Sequence, residues 1–198
     1  MKLAITSTAL LAVLASVASA HPRRDDDRRG RWHHHHDRDR DRDPVDFEQL
    51  SAITRACSAH TIGEREAHQC VDVTSRVRFD PTPMIDACAR TMIGDADTVA
   101  CLAAAAESPA DPSALIRSCG RAMIGDADAI SCVATTSRLG LLPAAITACS
   151  RAMIGDADTV ACLGALAGTR YEPTQLVEFC ARNEIGDDAT IDCISRWK

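Results

Sequence analysis

The sequence predicts an all-α fold, a tandem array of five disulfide-stapled helical hairpins forming a short α-solenoid with about 31 residues per repeat. Three observations carry this expectation. Cysteines fall at 57/70, 88/101, 119/132, 149/162 and 180/193, with 13 residues between partners of each pair and steps of 31, 31, 30 and 31 between pairs. A core phrase returns almost unchanged as "ACARTMIGDADTVAC", "SCGRAMIGDADAISC" and "ACSRAMIGDADTVAC". Within each copy the apolar residues recur at helical spacing, which together with a period of about 20–50 residues marks a stacked array.

The stretch before the array reads as two segments. Residues 1–20 have the form of a secretory signal peptide: basic Met1-Lys2, an apolar Leu-Ala run, and Ala18-Ser19-Ala20 as a cleavage site. The run is shorter than the roughly 18–20 residues a spanning helix requires. Export to the extracellular space or periplasm is the expectation, with no membrane insertion. Residues 21–46 carry 8 Arg, 8 Asp and four consecutive histidines, with too little apolar surface to offset ordering entropy, so a disordered polyampholyte is expected. Arg23-Arg24 and Arg28-Arg29 have the form of dibasic processing sites.

The repeat domain spans 47–198. Each unit opens with an acid followed by proline in Asp80-Pro81, Asp111-Pro112 and Glu172-Pro173, an N-cap followed by the first helical residue. Phe79 with Met84, and Tyr171 with Leu176, have hydrophobic-staple spacing. Met84, Ile85, Cys88 and Met92 mark the apolar face of the first helix. Gly63, Gly94, Gly125, Gly155 and Gly186 are expected to end that helix as left-handed C-caps. Asp95, Asp126, Asp156 and Asp187 are then expected to cap the second helix. Asp97, Asp128, Asp158 and Asp188 fall in its first turn, where the helix dipole favours negative charge. Val99, Leu102, Ala103 and Ala106 continue the second helix at helical spacing.

Ten cysteines allow hundreds of pairings. Pairing within repeats is expected, because each glycine has one cysteine six residues before it and one seven after, opposite each other across a hairpin. The predicted bridges are Cys57–Cys70, Cys88–Cys101, Cys119–Cys132, Cys149–Cys162 and Cys180–Cys193. The rival scheme, 70–88, 101–119, 132–149 and 162–180, strands Cys57 and Cys193. The core is Ala-rich and aromatics are only 3% of the chain, so staples would offset a thin core.

Charge excludes some partners. Residues 47–198 hold 13 Lys and Arg against 20 Asp and Glu, net −7, which disfavours nucleic acid and anionic membrane surfaces. The Asp-x-Asp of "GDAD" resembles the start of an EF-hand loop. However, its sixth position is Ala100 rather than Gly and its twelfth is Ala106 rather than Glu. Helix capping accounts for these acids more economically, and caps would also occupy the amides a phosphate would use. What remains is a line of paired acids along one edge, suited to basic partners or loosely held cations.

The candidate metal ligands are His33, His34, His35 and His36, a tract that composition associates with Zn, Ni or Cu. His21, as a mature amino terminus, would be a further copper chelator. His60 and His68 in the first repeat would suit a two-histidine metal or acid–base site, or else the polar outer face of a terminal repeat. No G-x-S-x-G, H-E-x-x-H or phosphate loop occurs, no cysteine is left over for catalysis, and no cofactor is implied.

Disulfide-linked helical hairpins in an exported chain are similar in plan to the Sel1-like cysteine-rich repeat proteins. The resemblance is architectural: that family's cysteines lie closer together and its repeats are longer, so it transfers no site residue. The expected function is a secreted, non-enzymatic binding or scaffold module for an extracellular protein or surface ligand. The alternative is metal sequestration through His33–His36. A hydrolase built on the first repeat is a third reading.

Overall fold

The computed structural model describes residues 47–198; the expected signal peptide over 1–20, the Arg/Asp/His-rich segment over 21–46 and its histidine tract lie outside the described residues. Ten helices and no strand occur among them. The first helices of the five repeats are α1 (Phe47–His60), α3 (Thr82–Thr91), α5 (Ser113–Ala122), α7 (Pro143–Ala152) and α9 (Pro173–Asn183). The second helices are α2 (Glu64–Thr74), α4 (Asp95–Ala105), α6 (Asp126–Leu139), α8 (Asp156–Ala165) and α10 (Asp187–Ser195). Each hairpin packs its two helices together. First helices stack on first helices and second on second, giving two layers with the core between them.

The five bridges join cysteines within repeats, with Cα–Cα distances of 5.7–5.8 Å. Every cysteine is buried, so the bridges form the centre line of the core. Around them pack Ile53, Met84, Ile85, Leu102, Ile116, Val133, Ile146, Leu163, Val177 and Ile194. Five disulfides are the chemistry of an oxidising, non-cytosolic compartment. No helix among the described residues is long and apolar enough to cross a membrane.

The acids before the first helices behave as caps. Asp80 Oδ1 accepts the Thr82 N–H at 3.0 Å and Asp111 Oδ1 the Ser113 N–H at 3.0 Å. Glu172 accepts from Thr174 and Gln175 at 3.1 and 2.7 Å. The helix start is one residue later than predicted at α3 and α5, where the proline itself holds the N-cap position.

At the turns the structure corrects the sequence reading. Gly63, Gly94, Gly125 and Gly155 are not left-handed C-caps. Their φ values, −80°, −114°, −105° and −106°, are extended, and each is the N-cap residue of the second helix. The first helix instead ends on a buried methionine in extended conformation, Met92, Met123 or Met153. Gly94 and Gly155 lie close under an acidic side chain. A Cβ on Gly155 would lie 2.9 Å from Asp158 Oδ2, and one on Gly94 3.2 Å from Asp97 Oδ2, because these first-turn acids fold back over the cap.

The second-helix face is also rotated from the prediction. Thr98, Cys101, Leu102 and Ala105 point inward, while Ala103 is exposed. The disulfide fixes Cys101 inward, and positions one turn from it follow. Thr98 enters the core because its hydroxyl donates to the Gly94 carbonyl at 3.0 Å. The 30-residue step is absorbed where α6 runs three residues past α4's equivalent end and stops at Gly140, whose φ of 63° is left-handed.

Candidate binding edge at the repeat turns

The turn between the helices of each repeat reads Ile-Gly-Asp or Ile-Gly-Glu, and stacking brings five such turns to one edge. Asp95, Asp126, Asp156 and Asp187 were expected to cap their own helices. Each is instead the first helical residue, and no side-chain cap bond forms at the glycine before it. The carboxylate reaches back to the preceding repeat. Asp95 Oδ2 accepts the N–H groups of Ile62 and Gly63 at 2.7 and 2.9 Å. Asp126, Asp156 and Asp187 accept the N–H of Ile93, Ile124 and Ile154 at 3.0, 2.7 and 3.0 Å. All four repeat interfaces therefore carry the same charge-assisted bond, and the phrase "IGD" is written for two neighbouring repeats at once.

The isoleucine side chains lie outside, at the anchored turns and at the last, unanchored one alike. Ile62, Ile93, Ile124, Ile154 and Ile185 are 94–99% exposed, one per repeat. Single exposed apolar residues are ordinary, but here one recurs at the same turn of all five repeats. Covering an isoleucine is worth about 1.5–3 kcal/mol, so the whole row offers on the order of 10 kcal/mol before the costs of association. Beside the row stand Asp97, Asp128, Asp158 and Asp188. Among the described residues no Lys or Arg pairs with any of the eight turn aspartates; arginine ion pairs go to other acids, among them Glu66, Asp72, Asp86, Glu107 and Glu178. The edge is thus apolar along its crest and negative along its flank.

The other candidates do not converge. His60 Nε2 lies 3.8 Å from Asp86 of the next repeat and His68 Nε2 3.9 Å from Glu64 of its own helix, so the two rings serve different partners. No group of three or more His, Cys, Asp or Glu in metal-holding geometry occurs among the described residues. The Asp-x-Asp pairs split their work, one acid bonding the neighbouring turn and the other folding over glycine.

Two carboxyls are held below their ordinary value: Glu66 by the Arg65 guanidinium, and Glu172 by the amides of Gln175 and Thr174. Both are structural.

Three surfaces were missed in the sequence. A shallow groove of about 520 Å³ runs between α7 and α9, walled by Ala148, Val177, Arg151 and Arg182. At the far end Trp197 meets Tyr171 and Phe179 edge-on, with centroids 5.3 and 6.2 Å away. The last repeat therefore closes on half-exposed aromatics. The isoleucine row was missed too, although its signal was present: an aliphatic residue before the glycine in five copies out of five.

No family model, curated protein or solved structure matches the chain.

Proposed function

We propose that this chain is a secreted, non-enzymatic binding module whose repeat edge holds an extracellular partner. The observation that carries this reading is the isoleucine row, five side chains kept almost wholly in water, four of them with backbone amides fixed by neighbouring aspartates. A stacked array suits such a role, because it displays one chemical pattern repeatedly along an extended surface. Capture from culture medium tests it, comparing the native chain with an Ile93→Thr, Ile124→Thr, Ile154→Thr variant. The native chain should retain a protein that the variant loses. Equal retention by both, or none by either, would remove the edge as a binding surface.

A second reading rests on the four consecutive histidines. His33–His36 would sequester Zn, Ni or Cu. Titration with each metal, with and without residues 21–46, should show affinity above that of a generic oligohistidine tag. Affinity equal to the tag's would end it.

A further inference from the structure

We infer that the isoleucine row is a docking track for an extended basic segment of polyproline-II character, with an apolar side chain at every third residue and Arg or Lys between. This rests on the binding-module reading above and assigns the chemistry of its partner.

Three features select this occupant. The first is the period. Isoleucines recur once per repeat, and packed helices stack about 8–10 Å apart. A polyproline-II chain advances about 9 Å in three residues and returns to the same face. A β-strand presents alternate residues, so every third side chain points away. An α-helix repeats its face every three to four residues, about 5–6 Å, and overfills the row.

The second feature is the state of the edge backbone. Strand addition requires free N–H groups, yet those of Ile62, Ile93, Ile124 and Ile154 are already donated to Asp95, Asp126, Asp156 and Asp187. The edge therefore offers side chains, and a polyproline-II segment, which needs no ladder partner, suits it. The third is charge. The flanking Asp97, Asp128, Asp158 and Asp188 have no Lys or Arg partner among the described residues, and residues 47–198 carry net −7. A second copy or an anionic lipid surface would bring like charge to this edge; a basic segment would neutralise it.

The isoleucines need not be there for the turn alone. Threonine keeps the β-branch of isoleucine and removes most of its apolar surface. This difference makes the inference testable. The full secreted chain is titrated with a labelled fifteen-residue peptide, (Leu-Arg-Pro)5, alongside (Leu-Glu-Pro)5 and a scramble of the basic peptide lacking the three-residue period. The basic periodic peptide should bind saturably and weaken as salt rises, while the acidic one should not bind. The Ile93→Thr, Ile124→Thr, Ile154→Thr variant, with an unchanged melting curve, should bind at least tenfold more weakly. If that variant does not fold, Asp128→Asn with Asp158→Asn should flatten the salt dependence in its place. No binding, equal binding of the scramble, or undiminished binding by the variants overturns the inference. A dimer seen in sedimentation that the threonine variant dissolves would give the row to a second copy. Binding to anionic vesicles would give it to a membrane surface. Capture of a medium protein through the row, with no peptide binding, would leave the binding module standing and remove this partner chemistry.

Discussion

Asp126 illustrates how much one carboxylate does in this array: it begins α6 and binds the amide of Ile93 in the repeat before it. A charge-assisted bond of this kind at a partly exposed site is worth about 1 kcal/mol. Asp126→Ala should cost about that much in urea unfolding and should speed hydrogen exchange at the Ile93 amide selectively. Unchanged exchange there would show the bond to be idle. Gly120 acts through its size. A Cβ there would lie 2.1 Å from Thr91 Cγ2 on the neighbouring first helix. Gly120→Ala should therefore cost about 1–3 kcal/mol, and Thr91→Ala in the same chain should recover part of it. The equivalent positions are Ser58, Ala89, Ser150 and Ala181, all small, which is the trace this close approach leaves in the sequence. Glu172 gives a pH prediction. Its carboxyl is held below the ordinary 4.5 by two helix amides, so its cap is fully effective above that value and is lost as pH falls through the depressed one. An NMR titration of Glu172 should show the low midpoint, and Glu172→Gln should remove this part of the acid dependence. An ordinary midpoint would mean that the cap is not formed in solution.

At the scale of the hairpin, the disulfide is the organising contact. It closes a short loop, joins two helices of only 9–14 residues, and decides which face of each turns inward. Cys119→Ala with Cys132→Ala should lower stability by about 3 kcal/mol in the chain-entropy view, more than removal of any one of the surface ion pairs. Peptide mapping of the unreduced native chain should return only bridges 13 residues apart. The hairpin was legible because its determinants are local: the acid caps, the small turn and the paired cysteines all lie within one repeat. The cap assignment at Gly94 was misread because glycine admits two roles. A left-handed C-cap and an extended N-cap crowded by Asp97 leave the same letters in the sequence, and only the backbone angle separates them.

Across the whole array, stability comes from repetition of one interface and from staples buried out of reach of solvent. A reductant should therefore act slowly on the native chain and quickly once denaturant opens it, with loss of helical circular dichroism tracking loss of bridges. Reduction at equal rates in both conditions would contradict a buried core of cystines.

The sequence by itself determined the all-helical class, the five hairpins, the bridges within them and the acidity of one edge. Each of these follows from residues close together in the chain and from a repeat period that the cysteines display directly. The tertiary structure decided which groups remain available. Whether Asp95 caps its own helix or the turn before it depends on a neighbour more than thirty residues away. Stacking also fixes the Ile93 amide against Asp126, while its side chain faces water as that of Ile185 does at the last turn. Local propensity builds the repeat, and stacking brings the exposed isoleucines to one edge, the surface on which the proposed function rests.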